Sequence, residues 1–536
     1  LPEWFKGKPL NLPGRRLAAP LLFLAFPVFL RLAYPPFSLG FFAPAAFGLL
    51  FQGLAVARRP VAWAFSAHLL FVVLLCPWLF TALTGHYHLS VPLALVLFLG
   101  VACAPPSVFF AAFALAIKKR TRAVAGAAFP AGLSFALFAA SAFVVTEWLR
   151  SLLSLEKGWG HLATAFFGHP AFLGWASLWG RAGLSFLLVF WGALSWLMVR
   201  AARERRQAAG AFFLTLALTV GAVGCLGALR HGKTPPPAIL LETALVHPAI
   251  RQEDRWQASS PAANLARYRA LSLSAFPGPV APGRTRLVVW PETAITRALV
   301  SFPEAREAVA KIAREKDAFV LLGSPHFMGS GEDRRFYNSV FLAGTDGEIL
   351  DRYDKILLLP LAEAATGPLS IQTENYHGNY HPGEEDRVLV LPTAQGPLGL
   401  GVAVCFEVAS APHLAKCVRA GATVLANLSN DAWFGRGSES EQQLSLLALA
   451  CAEHGVAGIR STGYGVSALV DPRGRVLAKT GILEPPLLSG PLPVPARSPT
   501  PETRFPSWFV LLAGLILALS VLPRAQAKID NKPSFT

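Results

Sequence analysis

Long apolar stretches separated by short polar breaks fill the first 230 residues, and one more apolar stretch lies near the end of the chain. A helix that crosses a membrane needs about 20 apolar residues. The pattern therefore predicts about eight membrane helices, seven in the first part of the chain and one near its end. The predicted ranges are 17–33, 38–57, 61–84, 89–117, 127–150, 182–200, 210–229 and 506–523.

Residues 238–495 show a different pattern, in which short β-type runs alternate with helical stretches. Such alternation is typical of α/β layering, with buried sheets and helices outside them. The predicted strands are 238–245, 286–290, 319–324, 339–343, 388–391, 398–404, 423–427 and 465–470, and the clearest predicted helices are 303–316 and 440–454. Proline-rich segments at 234–237 and 485–501 indicate linkers at the two ends of this region.

These patterns predict three parts of the chain. Residues 1–233 form an N-terminal transmembrane domain of about seven helices, and residues 234–500 form an α/β domain. Residues 501–536 form a C-terminal transmembrane helix with a short tail. The α/β part has a plausible length for one domain inserted between membrane helices.

The composition supports a membrane protein, because 53% of the residues are hydrophobic and only 15% are charged. Soluble domains carry about 25% charged residues. The net charge of +16 would indicate a nucleic-acid partner in a soluble protein, but here the basic residues cluster between the predicted spans. The clusters lie at 6–16, 58–59, 118–122, 200–206 and 524–532. Counted along the spans, they fall on one side of the membrane, which the positive-inside rule assigns to the cytoplasm.

This assignment predicts cytoplasmic termini and an α/β domain on the outer face of the membrane. A basic cluster at 230–233 lies on the opposite side, but the other five clusters favour the assigned orientation. The six cysteines form no CxxC pair and no metal-ligand spacing, and neither a metal nor an organic cofactor is expected.

Three segments of the α/β region end on reactive side chains, and in such folds reactive groups tend to follow the carboxyl ends of strands. Glu292 ends "LVVWPE", Lys355 follows a turn in "RYDK", and Cys405 ends "GVAVC". A thiol with a pKa of about 8.5 needs a base to become a nucleophile, and Glu292 can take its proton. Lys355 can stabilise the thiolate and the oxyanion of a tetrahedral intermediate.

Each of these residues has a plain structural explanation when it is considered alone. Cys405 could be a small core residue, Lys355 a surface ion-pair partner, and Glu292 part of a capped turn. The order and sequence context of all three favour a site of nucleophilic catalysis.

"WPE", "DK" before an apolar run, and "CFE" occur in this order and resemble the Glu–Lys–Cys set of the nitrilase superfamily. With seven predicted spans before the domain and one after it, the chain resembles the bacterial apolipoprotein N-acyltransferase family. The stretches "YHPG" (380–383), "ANLSNDAWFG" (426–435) and "IRSTGYGVSALVDPRGRV" (459–476) extend the resemblance. It implies an αββα sandwich in which Glu292 is the base, Lys355 the electrostatic partner and Cys405 the nucleophile.

The resemblance also implies supporting residues. Glu363, Phe406 and Glu407 are expected beside the catalytic residues, and Trp256 matches a tryptophan on a mobile arm near the substrate entrance. Trp290 is expected to provide apolar surroundings for Glu292 and substrate. This chain has Phe406 where the family usually has tyrosine, and Cys451 and Val456 where a late helix usually carries arginines.

The implied reaction is a cofactor-independent acyl transfer in two steps. Cys405 takes an acyl chain from a membrane phospholipid as a thioester, and the N-terminal amine of a diacylglyceryl-cysteine lipoprotein then takes it as an amide. The expected protein is a monomer without a nucleic-acid partner, in the bacterial inner membrane with its catalytic domain in the periplasm. Two alternatives remain: a membrane-tethered amidase that hydrolyses a small amide, and a catalytically inactive scaffold.

Overall fold

The computed structural model describes residues 14–124, 128–155, 157–204, 206–231, 237–255, 260–359, 363 and 380–521. The first part of the chain is helical throughout. Its helices are α1 (Gly14–Ala33), α2 (Phe42–Val56), α3 (Pro60–Leu75), α4 (Pro77–Thr81), α5 (Val91–Leu97), α6 (Ala104–Ala123), α7 (Phe129–Leu153), α8 (Pro170–Leu173), α9 (Ala176–Glu204) and α10 (Arg206–His231). A π-helical turn at Ala82–His86 extends α4, and another at Phe98–Cys103 joins α5 to α6.

All eight predicted apolar stretches are helical over most of their described length. Within the described residues, four continuous segments are long and apolar enough to cross a membrane: Val91–Ala123, Phe129–Leu153, Ala176–Arg203 and Gln207–Arg230. The pair Pro60–Leu75 and Pro77–His86 passes the same test together but is bent by 65°. Pro77 accounts for this break, since proline has no N–H to continue the hydrogen bonds of α3. Shorter apolar helices lie at Ala19–Ala33, Phe42–Val56 and Trp508–Ser520.

The second part of the chain alternates strands with helices. The strands are β1 (Ile239–Val246), β2 (Arg284–Val289), β3 (Phe319–Met328), β4 (Arg335–Ala343), β5 (Ile349–Asp354), β6 (Val388–Thr393), β7 (Gly396–Val404), β8 (Val424–Ser429), β9 (Ala457–Thr462), β10 (Ala468–Val470), β11 (Val476–Lys479) and β12 (Leu487–Val494). The helices are α11 (Gln252–Arg255), α12 (Ser260–Ser274), α13 (Pro303–Lys316), α14 (Ala411–Arg419), α15 (Glu439–His454), α16 (Pro501–Arg504) and α17 (Trp508–Val521).

The strands form two six-stranded sheets, in the orders β12-β1-β2-β3-β4-β5 and β11-β10-β9-β8-β7-β6. Aliphatic side chains from both sheets, among them Val289 and Val404, fill the space between them. Helices α12 and α13 pack on the outer face of the first sheet, and α14 and α15 pack on the outer face of the second. The predicted αββα sandwich is confirmed.

Four strands were not predicted from the sequence, and two of them show why. β12 contains Pro491 and Pro493, which normally argue against a strand. It is an edge strand with β1 as its neighbour in the described sheet, and an edge strand tolerates prolines. β9 is fully buried yet carries Arg460, which interrupts the apolar run that marks a buried strand.

Helix α15 joins the sandwich to the membrane helices. All of its residues except Glu441 are buried, as expected for a helix covered on every side. Gln442 donates from Nε2 to the carbonyl oxygen of Leu75 at 2.8 Å, and its Oε1 accepts a hydrogen bond from the Trp159 indole at 2.8 Å. Arg181 in α9 pairs with Glu453 of α15 at 2.5 Å. The interface between the sandwich and the membrane helices is therefore closely packed, and the polar contacts of Gln442 and Glu453 cross it.

Candidate active site

Cys405 lies directly after β7, where the backbone turns sharply. Its φ is +52°, in the left-handed region that a non-glycine residue adopts only at an energetic cost. The Asn427 side-chain amide donates to the carbonyl oxygens of Ala403 at 2.9 Å and Cys405 at 3.2 Å, which holds this turn in place. The turn directs a half-buried thiol out of the strand and into a cavity.

Glu292 follows β2 and is buried at the edge of the other sheet. Its Oε1 accepts a hydrogen bond from the Asn338 side chain at 2.8 Å, and its Oε2 accepts one from the backbone N–H of Asn430 at 3.0 Å. Burial raises the pKa of Glu292, and the charge of Lys355 partly opposes this rise. The carboxylate is therefore a stronger base than an exposed glutamate.

Lys355 follows β5 and is almost completely buried between two carboxylates. Its Nζ lies 2.7 Å from Oε2 of Glu363 and 3.8 Å from Oε1 of Glu292. Burial alone would lower the pKa of Lys355, but the two carboxylates raise it above its ordinary value, so the ammonium stays charged. The structure thus brings together Glu292, Lys355 and Glu363, three of the predicted site residues.

The Cys405 thiol lies close enough to this cluster for the charges to act on it. Burial raises the pKa of Cys405, Glu292 raises it further, and Lys355 acts in the opposite direction. The resting side chain is therefore a protonated thiol at neutral pH, which requires a base before it can attack.

Glu407 is buried, and backbone N–H groups occupy its carboxylate. Oε1 accepts hydrogen bonds from the N–H groups of Ile356 at 2.8 Å and Leu357 at 2.9 Å, and Oε2 accepts one from the N–H of Val404 at 2.7 Å. Glu407 therefore ties the turn after β5 to the turn that carries Cys405, which is a positioning role.

The three predicted aromatic residues have different locations. Phe406 lines the cavity and stacks on Trp159, with ring centroids 6.3 Å apart. Trp290 lies in the core between the first sheet and α12, where its indole donates to Oγ of Ser272 at 2.8 Å. Because alternate residues of an extended chain face opposite sides of a sheet, Val289 points between the sheets and Trp290 points outward. Trp290 does not line the cavity, and Trp256 lies outside the described residues.

The cavity at Cys405 has a volume of about 220 Å³. Aromatic and aliphatic side chains of the segments from α3 to α7 form most of its wall. They include Phe71, Val72, Leu75, Trp78, Leu79, Leu83, Leu97 and Val101. The sandwich contributes Cys405, Phe406, Glu439 and Gln443, so the cavity connects the thiol to the apolar helices.

A buried polar network beside Cys405 was not predicted from the sequence. Gln443 Nε2 lies 3.9 Å from the Cys405 sulfur and donates to Glu439 Oε1, and Gln443 Oε1 accepts a hydrogen bond from Arg460 at 2.8 Å. Arg460 also pairs with Asp431 at 2.6 Å. The available signal was the spacing of Glu439 and Gln443, which lie four residues apart and so share one face of the helix.

Two family models match this chain. Residues 243–493 match the family described as Carbon-nitrogen hydrolase, and residues 27–194 match the Apolipoprotein N-acyltransferase N-terminal domain. The chain belongs to the apolipoprotein N-acyltransferase family. The Apolipoprotein N-acyltransferase of Azotobacter vinelandii is 29% identical over 525 residues, which cover 96% of this chain and 97% of that protein. The one from Geobacter metallireducens is 29% identical over 369 residues, which cover 67% and 68%.

The sandwich is also similar to a solved amidase of Nesterenkonia sp. That match has 22% sequence identity and a TM-score of 0.36, and it covers 48% of this chain and 92% of the amidase. Membership in the family confirms the predicted class of enzyme, an acyltransferase in lipoprotein biosynthesis, and its place in a bacterial membrane.

Proposed function

We propose that this protein moves a fatty acyl chain from a membrane phospholipid to the N-terminal amine of a diacylglyceryl-cysteine lipoprotein. Cys405 carries the chain between the two substrates as a thioester. The observation that carries the proposal is the apolar cavity, because it links the thiol to the membrane helices and suits an acyl chain. The proposal takes the enzyme to act as a monomer.

In the first half-reaction, Glu292 takes the proton of Cys405 and the sulfur attacks the ester carbonyl carbon of the phospholipid. A sulfur–carbon bond forms, and the buried ammonium of Lys355 stabilises the resulting oxyanion. The carbon–oxygen bond then breaks, and Glu292 returns the proton to the oxygen of the leaving lysophospholipid. Glu363 keeps Lys355 in place at 2.7 Å.

In the second half-reaction, the neutral amine of the acceptor attacks the thioester carbonyl. The carbon–sulfur bond breaks, an amide forms, and the thiol is restored. A thioester suits this step because it stores the acyl group and still reacts with amines.

The amidase alternative predicts an open, polar pocket at the nucleophile for a small amide. The cavity at Cys405 is instead lined mainly by aromatic and aliphatic side chains. The scaffold alternative draws on Cys451 and Val456, which are buried residues at the end of α15 and just beyond it. Neither lines the cavity, and Arg181 balances the charge of the nearby Glu453.

The experiment that tests the function separates the half-reactions. We expect the purified protein, incubated with phospholipid vesicles alone, to gain the mass of one acyl chain that hydroxylamine removes at neutral pH. The adduct should discharge faster to a diacylglyceryl-cysteine peptide than to water. Intact-mass spectrometry measures both steps. If the peptide gives no acceleration, the amidase alternative replaces the acyltransferase.

We also propose the division into parts 1–233, 234–500 and 501–536, with the middle part on the periplasmic side of the inner membrane. The basic clusters between the spans support this orientation. A cysteine introduced at the exposed Ser330 should react with a membrane-impermeant maleimide in spheroplasts, whereas one at the exposed Lys119 should react only after permeabilisation. The unsubstituted protein supplies the background signal. The reverse pattern would overturn the orientation.

A further inference from the structure

Glu439 is a buried carboxylate on the cavity wall that is only partly hydrogen-bonded. It is the first residue of α15, is 1% exposed, and lines the same cavity as Cys405. Its Oε1 accepts a hydrogen bond from Gln443, whereas its Oε2 accepts none from any residue in the described part of the chain. A buried polar atom without a partner is costly, so this oxygen requires an explanation.

The groups around Glu439 disfavour its charged form. Asp431 and Glu292 are acidic, and the nearby cation Arg460 is already paired with Asp431 at 2.6 Å. Burial raises the pKa of Glu439 well above its ordinary value, Asp431 raises it further, and Arg460 acts in the opposite direction. A cation with N–H donors would satisfy Oε2 and stabilise the ionised form of Glu439.

The proposed reaction brings one such group to Cys405, namely the α-ammonium of the acceptor. An ammonium must lose two protons to become an amide nitrogen, and the departing thiolate accepts one of them. Glu292 can relay that proton, but one carboxylate holds only one proton at a time. The second proton requires another acceptor within the cavity.

We propose that Glu439 binds the α-ammonium of the lipoprotein substrate and removes its first proton, in the second half-reaction only. This role rests on the function proposed above. The proton moves from nitrogen to Oε2, the neutral nitrogen attacks the thioester carbon, and the carbon–sulfur bond breaks. The remaining proton passes through Glu292 to the Cys405 thiolate, so the step ends with an amide, a thiol and protonated Glu439.

The test compares Glu439→Gln with Glu441→Gln in the full-length protein. Glu441 lies on the same helix, but it pairs with Lys479 at 2.6 Å and does not line the cavity. We expect both variants to form the thioester from phospholipid, and Glu441→Gln to do so at the wild-type rate. At pH 7, discharge to a diacylglyceryl-cysteine peptide should be about 100-fold slower in Glu439→Gln only, the lower end of the effect of a general base.

The pH dependence separates this role from a structural one. Discharge by Glu439→Gln should recover as the pH rises through the amine pKa of about 8, because the free amine then needs no base. Discharge at the wild-type rate at pH 7, or failure of Glu439→Gln to acylate, would overturn the role. If that variant does not fold, Glu439→Asp tests the role instead. Its shorter carboxylate should slow discharge and leave acylation intact. A wild-type protein that forms no thioester would instead contradict the proposed function itself.

Discussion

Cys405→Ala is expected to abolish acyl transfer while the protein stays folded. The substitution removes the sulfur that forms the thioester, and no other group at this position can replace it. Alanine keeps the β-carbon, so the strain at φ +52° is unchanged. The lost contact is a long one, 3.9 Å from the sulfur to Gln443 Nε2. The melting temperature should therefore stay close to that of the wild type, while intact-mass spectrometry shows no acyl adduct.

Two further variants sharpen this result. Cys405→Ser should also be nearly inactive, because a glutamate is too weak a base to ionise an alcohol. Cys225→Ala is the matched control, since Cys225 is an exposed cysteine of α10 that does not line the cavity. It should form the adduct normally. Turnover by the Cys405→Ala protein would show that the nucleophile lies elsewhere.

Lys355→Met is expected to slow thioester formation by a factor of 10² to 10³. Loss of one preorganised oxyanion partner costs about 3 kcal/mol of transition-state stabilisation, which corresponds to a rate effect of this size. The substitution also leaves Glu292 and Glu363 buried without their shared cation. Because Lys355 lowers the pKa of Glu292, its removal should raise that pKa. The base is then ionised only at higher pH, so the acid limb of the acylation profile should move upward.

Single-turnover acylation from phospholipid vesicles, followed by mass spectrometry across a range of pH, measures both effects. Lys311→Met serves as the control, because Lys311 is an exposed residue of α13 that pairs with the exposed Glu315. Its rate and pH profile should match those of the wild type. An unshifted acid limb in Lys355→Met would show that Glu292 is not the base that limits acylation.

The central residues of the site could be predicted because their signals are local. Glu292 and Cys405 each follow a short apolar strand, and the end of such a strand can be recognised in the sequence. Helix α13 was predicted with the bounds that the structure has, because its apolar residues recur with a clear helical period. The location of Trp290 could not be predicted in this way, because the sequence does not show which face of the sheet the helices cover.

The polar network could not be predicted because its partners come from distant parts of the chain. Asp431, Glu439 and Arg460 meet only after β9 and α15 have packed together, and each alone resembles an ordinary surface residue. Helix α15 likewise looks like a helix with one free face. Its burial on all sides depends on the membrane helices that pack against it, which no local pattern encodes.

The pairing of β1 with β12 bears on how such a protein arose. Ile239 lies opposite Val494, so the first and last strands of the sandwich are neighbours. Adjacent strands are about 4.8 Å apart. A gene fragment that encodes the whole sandwich therefore has its two ends at nearly the same point in space. Inserting such a fragment into one extramembrane loop of a helical protein would not pull the flanking helices apart.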